Sequence, residues 1–246
     1  MHRESTAGDL SCVVTAMLFA FTLPADCGYF PAILGTVFAV AVVKMLFGGI
    51  GCNFANPAVA GRVFIMLAMP IALGAYPDIM GRPLDAITGA TPLAMNAAGA
   101  EPYSYMDMMF GMHAGALGET CIITLLAGYV FLLVLRVVDA WATVSFIATV
   151  AVITGLAGQD AIYQVLSGGL ALGAFYMATD YTTTPMTPKG KIIFGIGCGV
   201  ITALVRLFAS APEGVAFSIL FMNMFTPLID RYTRPQPAGG VKHALV

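Results

Sequence analysis

Eight apolar segments divide this chain, at residues 10–23, 30–47, 57–73, 121–138, 142–156, 163–179, 192–209 and 215–229. A spanning helix needs roughly 20 largely apolar residues, and most of these runs approach that length. The pattern therefore predicts an all-α polytopic membrane protein of about eight transmembrane segments. The first run is short and stops at Pro24, so it reads as a half-helix whose end other parts of the protein must cover. Composition agrees: 59% of residues are hydrophobic and only 10% are charged, whereas a soluble domain carries about 25% charge.

The charges set an orientation. Arg136, Lys189, Lys191, Arg231, Arg234 and Lys242 fall in alternate connections or in the C-terminal tail, the pattern expected of a cytoplasmic face. Counting back places the N-terminus, with Arg3, on the same side. The stretch 74–119 then lies outside, with Asp78, Asp85, Glu101, Asp107 and Glu119 against Arg82. The net charge of −2 and the lack of a basic stripe argue against nucleic acid. Five scattered cysteines with no C-x-x-C pair, and three histidines, give no metal framework. The polar residues 1–8 followed by an apolar run resemble a secretory signal, but more spans follow and no small-residue cleavage site succeeds Pro24, so the run reads as a retained segment.

The chain also resembles itself. Leu10-Ser11 opens a run to Pro24, and Leu166-Ser167 opens one of equal length to Asp180. Val43-Lys44-Met45-Leu46-Phe47 parallels Val205-Arg206-Leu207-Phe208. Pro57 with Val59-Ala60 parallels Pro212 with Val215-Ala216, and the copies close at Pro70 and Pro227. The common order and near-constant offset predict a duplication. An odd number of segments separates the two starts, so the second copy is expected to be inverted, with broken or half helices meeting near the midplane as in transporters. Two spans precede the second copy and none precedes the first, which predicts two further spans upstream. The expected division is a first repeat at 1–74, an outer loop at 75–120, two spans plus the second repeat at 121–235, and a cytoplasmic tail at 236–246.

The outer stretch holds Asp85-Ala86-Ile87-Thr88-Gly89-Ala90-Thr91-Pro92-Leu93. Gly89 and Ala90 leave the backbone open beside two hydroxyls, and Pro92 stiffens the residues after it. A threonine hydroxyl accepts a phosphoester only when an enzyme activates it, and an ordinary turn with capping hydroxyls has the same composition. The residues alone leave both readings open. Asp85, Thr88, Gly89, Ala90 and Thr91 match D-x-x-[ST]-G-A-[ST], the pattern read by bacterial flavin transferases, which join FMN through its phosphate to the last hydroxyl, here Thr91.

The rest of the chain resembles one family. Phe47-Gly48-Gly49-Ile50-Gly51-Cys52-Asn53-Phe54-Ala55-Asn56-Pro57-Ala58 and Met177-Ala178-Thr179-Asp180 are similar to signatures shared by the Rnf D and Nqr B subunits. Thr187-Pro188-Lys189-Gly190-Lys191, Pro212-Glu213-Gly214-Val215-Ala216-Phe217 and Thr226-Pro227-Leu228-Ile229-Asp230-Arg231-Tyr232-Thr233 favour the Rnf branch. Cys52 stands where a polar amide is expected, and Tyr181-Thr182-Thr183-Thr184 replaces an Asp-Pro-Val stretch. The resemblance implies one subunit of a six-subunit redox-driven ion translocase in the bacterial cytoplasmic membrane, not active alone. Such a complex couples electron flow between ferredoxin and NAD to Na⁺ or H⁺ movement. It further implies a covalent FMN on Thr91 facing the outer side, with room for a second, noncovalent flavin. The implied partners are the Rnf A, B, C, E and especially G subunits, the flavin transferase during maturation, and membrane lipid. Alternatives are an Nqr B-like component of a Na⁺-pumping NADH:quinone reductase and a flavin-free channel for a small solute or ion.

Other polar residues carry two readings each. Asn53, Asn56, Thr179 and Asp180 beside apolar runs mark either a pathway or helix caps. Lys44 and Arg206 are expected to snorkel to the interface. Glu119 is expected to stabilise the start of the helix after it. Gly48, Gly49 and Gly51 lack the Lys-Ser/Thr of a nucleotide loop and fit close packing or a re-entrant turn. His113 has no obvious partner, and Tyr103 and Tyr105 read as interfacial belt residues.

Overall fold

The computed structural model describes residues 10–49, 51–73, 91–97, 103–209 and 214–235, and the regular elements among them are all helical. In chain order, α1 (Ser11–Phe21) is followed by α2 (Tyr29–Val37), which continues as a π-helical stretch, Phe38–Met45. Next, α3 (Pro57–Ala68) leads into a 3-10 turn, Pro70–Leu73. Two short helices, α4 (Pro92–Ala97) and α5 (Tyr105–Phe110), precede α6 (Ile122–Val134) and α7 (Ala140–Leu156). Then come α8 (Ala161–Leu166) and α9 (Leu170–Leu172), the latter running on as a π turn, Gly173–Met177. The last two, α10 (Pro188–Phe208) and α11 (Gly214–Thr233), are the longest.

Local chemistry explains several of these boundaries. Asn56 Oδ1 accepts from the Ala58 and Val59 amides at 3.0 and 3.3 Å. Pro57 then fills the first helical position of α3, where no amide is needed. Thr187 and Pro188 repeat the device at the start of α10, with Thr187 Oγ1 accepting from Gly190 N at 3.0 Å. Asp160 does the same for α8, accepting from Ile162 and Tyr163 amides at 3.0 and 3.1 Å. The glycine-rich turn after the π stretch places Gly48, Gly49 and Gly51 at positive φ, so it is a turn built on glycine's conformational freedom.

Each of the eight predicted segments carries helix, and the sixth is interrupted at Ser167-Gly168-Gly169. Among the described residues α10 alone, at 21 residues, is both long and apolar enough to cross a bilayer; five further apolar helical stretches run 10–17 residues. The eight-fold count and the inversion of the repeat rest on the sequence pattern. The exterior is what lipid requires. Leu156 and Phe208 are more than 80% exposed, and Leu67, Val134 and Met224 also face outward. A patch of that extent on a water-soluble monomer would be an interaction site.

Inside, large rings alternate with residues too small to hold neighbours apart. Phe19, Phe146 and Phe194 are fully buried in one cluster that joins α1, α3, α7, α10 and α11. Apolar burial gives helices little reason to associate in lipid, so close packing has to supply it. A Cβ on Gly35 would stand 2.2 Å from the Phe19 ring, and one on Gly195 would stand 2.5 Å from the Ala142 carbonyl. Hydrogen bonds then tie the first part of the chain to the last. Asn56 Nδ2 donates to Met177 O at 3.2 Å. The Asn223 amide, oriented by its surroundings, accepts from Asn56 N at 2.9 Å and donates to Thr183 O at 3.3 Å. Thr226 Oγ1 donates to Thr183 O at 2.7 Å, and Asp230 accepts from Met186 N at 3.0 Å.

Candidate functional site

Thr91 is the member of the predicted flavin-attachment motif within the described residues; Asp85, Thr88, Gly89 and Ala90 lie outside them. It stands immediately before α4. Its Oγ1 accepts from Ala94 N at 3.4 Å, and its carbonyl accepts from Met95 N at 2.9 Å. Two contacts fix this turn to the helical body. The buried Tyr163 hydroxyl donates to Pro92 O at 3.0 Å, and buried Leu93 packs at the interruption between α8 and α9. Gly168 has φ +63, and a Cβ there would lie 2.7 Å from Leu93 Cδ1. The positive φ favours glycine at that position, and a larger residue would also have to displace the Leu93 methyl.

Below Thr91 runs a narrow, mostly apolar crevice with four polar residues at its wall besides Thr91: Thr22, Arg62, Glu119 and Arg206. Arg62, on α3, is 5% exposed, and Glu119 is 8% exposed. Arg206, near the end of α10, is held by the interrupted helix. Its Nη1 donates to Gln164 O and, at 3.3 Å, to Gln164 Oε1; its Nη2 donates to Ser167 O at 3.0 Å. Its Nε is buried and has no acceptor among the described residues. Glu119 interacts electrostatically with Arg206. Glu119 Oε1 accepts from Ala116 N at 2.9 Å, and a Cβ on Gly169 would lie 2.8 Å from Oε2. The chemistry on offer is anion recognition: two guanidiniums and one carboxylate beside a half-buried hydroxyl.

The structure corrects several sequence expectations. Lys44 does not snorkel: it is 5% exposed, and its Nζ donates to Thr15 Oγ1 at 3.4 Å. Arg206 also turns inward, its guanidinium donating to the carbonyls of Gln164 and Ser167 beside the break in the sixth segment. Glu119 does not cap α6, whose N-cap is Cys121 with no side-chain bond; it faces the crevice instead. His113 is fully buried and its ring lies 5.9 Å from that of Tyr103. Tyr105 donates to the Asp160 carboxylate, which lies between α7 and α8. Arg62 is absent from the candidates read off the sequence, although it carries a signal: a charge inside an apolar run is a functional-site hypothesis by default.

Near the far end of α11, the caps win over the pathway reading for Asn56, which bonds both α3 and Met177. Asp180 accepts from the Thr182 amide at 3.3 Å and its hydroxyl at 2.9 Å, closing a local turn. Thr179 Oγ1 returns to Phe175 O at 2.7 Å. Asn53 Oδ1 is buried without a donor among the described residues, in a second pocket lined by Phe54, Thr182, Thr183, Asn223 and Thr226. The described residues hold no cluster of three or more His, Cys, Asp or Glu able to take a metal ion.

Comparison with known proteins agrees with the motifs. The chain is 42% identical to the D subunit of the Na⁺-translocating ferredoxin:NAD⁺ oxidoreductase complex of Acetobacterium woodii, over 98% of this chain and 77% of that protein. It is 37% identical to the D subunit of the proton-translocating ferredoxin:NAD⁺ oxidoreductase complex of Clostridium ljungdahlii, over 97% and 77%. It is 36% identical to the B subunit of the Na⁺-translocating NADH-quinone reductase of Chromohalobacter salexigens, over 89% of this chain but 57% of that protein. The sequence profile of the NQR2, RnfD, RnfE family matches residues 1–239, and the chain belongs to that family.

Proposed function

We propose that this chain is the D-type membrane subunit of an Rnf-type complex that couples electron transfer between ferredoxin and NAD to ion translocation, and that it carries FMN through a phosphoester on Thr91. The electron-transfer role is supported by two D-type relatives that align along nearly the whole chain. The quinone reductase relative is also similar but leaves more of its own length unmatched, so an Nqr B-like role is the second reading. One relative is named for Na⁺ and the other for protons, and this chain aligns with both over more than nine-tenths of its length.

The observation that carries the flavin site is the placement of Thr91. Its hydroxyl is half-buried, ends a motif of the flavin-transferase type, and opens on a crevice lined by Arg62 and Arg206. A phosphoester keeps one negative charge, and guanidinium groups are the side chains best shaped to meet phosphate oxygens. When bound, FMN supplies the electron-carrying chemistry, and the protein holds and orients it. Thr91 provides the tether. Tyr163 and Leu93 hold the tether against the helical body, and the apolar walls of the crevice exclude water from the attachment point. By the charge pattern, Thr91 faces the outer side of the bacterial cytoplasmic membrane, where a transferase and the G subunit would meet it. The A, B, C and E subunits complete the assembly, and this chain is not active alone.

The test is in-gel flavin fluorescence after denaturing electrophoresis, with the transferase co-expressed. The intact chain is expected to give a bright band, Thr91→Ser to retain it and Thr91→Ala to lose it entirely. A dark band for the intact chain removes the flavin reading, as does a bright one for Thr91→Ala. Purified chain that conducts Na⁺ or H⁺ in liposomes without flavin or partners would instead favour a plain channel.

A further inference from the structure

We infer that Arg206, with Arg62 in the lining of the same crevice, holds the phosphodiester of the tethered flavin, so that the crevice fixes the cofactor by its phosphate and leaves the ring system outside. This rests on the flavin reading above and adds the residues that recognise the linkage.

Arg206 commits two of its three nitrogens to Gln164 and Ser167. These bonds orient the guanidinium plane without neutralising it, since carbonyls carry no net charge. The third nitrogen, Nε, is buried and lacks an acceptor among the described residues. An unpaired donor on a charged group out of water is costly, so the position calls for an acceptor that the described residues do not supply. Thr91 lines the same crevice.

Charge points to the same ligand. The described wall carries two guanidiniums, Arg62 and Arg206, and one carboxylate, Glu119. A phosphodiester carries a single negative charge, which a guanidinium is shaped to meet. Space agrees as well. Gly168 and Gly169 have no side chains, and this lets Leu93 and Glu119 close in until a Cβ at either glycine would meet them at 2.7 or 2.8 Å. The resulting gap is narrow and suits a phosphate group better than a three-ring flavin. Arg206 is thus a positioning residue: it acts on the linkage, and through it on where the ring lies.

The test uses the full chain, co-expressed with the transferase and purified in detergent, and reads ³¹P resonance alongside flavin content. In the intact chain the phosphodiester resonance of the folded protein is expected to differ from that of the flavopeptide released by proteolysis. Coincident resonances would overturn the inference, and this comparison needs no variant. Arg206→Gln is expected to slow flavin incorporation at limiting transferase about tenfold, as for loss of one charge-assisted contact, and to move the resonance of the loaded fraction to the peptide value. Arg206→Lys, which keeps the charge but has no Nε–H fork, is expected to fall between. Unchanged incorporation with an unchanged resonance in Arg206→Gln overturns the inference while leaving the tether intact. A dark intact chain removes the tether and the inference together. The lipid headgroup is the competing source of a phosphodiester. A phospholipid resonance that shifts in the Thr91→Ala protein, and reverts in Thr91→Ala/Arg206→Gln, would assign the guanidinium to lipid and overturn the inference.

Discussion

Along its first two-thirds α10 presents glycines to its neighbours; near its end it presents a hydroxyl and a guanidinium. At Gly195 a Cβ would stand 2.0 Å from Ser145 Oγ, and at Gly199 2.5 Å from Thr149 Cβ, so α10 meets α7 nearly backbone to backbone. Toward the other end Thr202 Oγ1 donates to Ser218 Oγ at 2.8 Å, and Arg206 reaches the carbonyls at the break between α8 and α9. The glycine seam is complete in itself, because fit is all it requires. The charged end is not, because it keeps a buried donor in reserve. The contrast separates a seam whose contacts are complete from an end of the helix that keeps a buried donor without an acceptor among the described residues, and the inferred phosphate site rests on that end.

Filling the seam is the sharpest way to break that contrast. Gly195→Val would force side-chain atoms into the Ala142 backbone and is expected to destabilise the protein by about 3 kcal/mol, the upper end for overpacking, read as a lower unfolding temperature in detergent. Gly197→Ala is the control. Its Cβ would meet only Met222, at 2.4 Å from the flexible terminal methyl, and stability should change little. A seam variant as stable as the control would show that α7 and α10 are not held by close approach.

A satisfied polar cluster gives the next largest effect. Asn56→Ala removes the cap of α3 and the partner of the Met177 carbonyl and is expected to cost about 1–2 kcal/mol. Asn56→Asp keeps the capping oxygen but loses the amide donor, and should recover part of the loss. Equal melting temperatures for Asn56→Ala and the intact chain would mean that this cluster, like the Arg206 end, has slack in it.

The smallest effect belongs to the surface tie between Tyr105 and Asp160. The Tyr105 hydroxyl, followed by the Tyr163 and Ile162 amides, pulls the Asp160 carboxyl below its usual range. The same bond raises the Tyr105 hydroxyl above its own. A lowered carboxyl contributes stability above its unfolded pKa, about 3.9, and loses it as pH falls through the folded value. A raised phenol contributes below about 10 and loses it as pH rises through the folded value. The tie should therefore hold across neutral pH and weaken only at the extremes. Tyr105→Phe is expected to leave neutral stability nearly unchanged, since both groups are exposed, and to flatten the dependence of melting temperature on pH below about 4. A large neutral-pH loss would show that this contact holds α5 in place.

Local pattern made the helical content legible. Each apolar run carries helix, while the short helices α4 and α5 fall outside the runs and α10 starts four residues before its run, at the Thr187-Pro188 cap. The hydroxyl of Thr91 was legible as part of a motif because such a pattern is carried by consecutive residues. The crevice was not legible in the same way. Arg62, Glu119 and Arg206 lie far apart in the chain and line one crevice only when the helices pack, and no local rule says that the guanidinium of Arg206 will find the carbonyls of Gln164 and Ser167.

By itself, then, the amino-acid order determined that this is a helical membrane chain of the NQR2, RnfD, RnfE family, and it supplied the motif on which the proposed tether at Thr91 rests, since hydropathy, capping and short motifs act over neighbouring residues. Only the tertiary structure decided that Lys44 and Arg206 point inward, that Glu119 faces the crevice and not the start of α6, and that a guanidinium with a spare donor lines the crevice on which Thr91 opens. The physical reason is that a charge in a bilayer is placed by whatever partners folding brings within hydrogen-bonding distance, and those partners are set by how the helices pack.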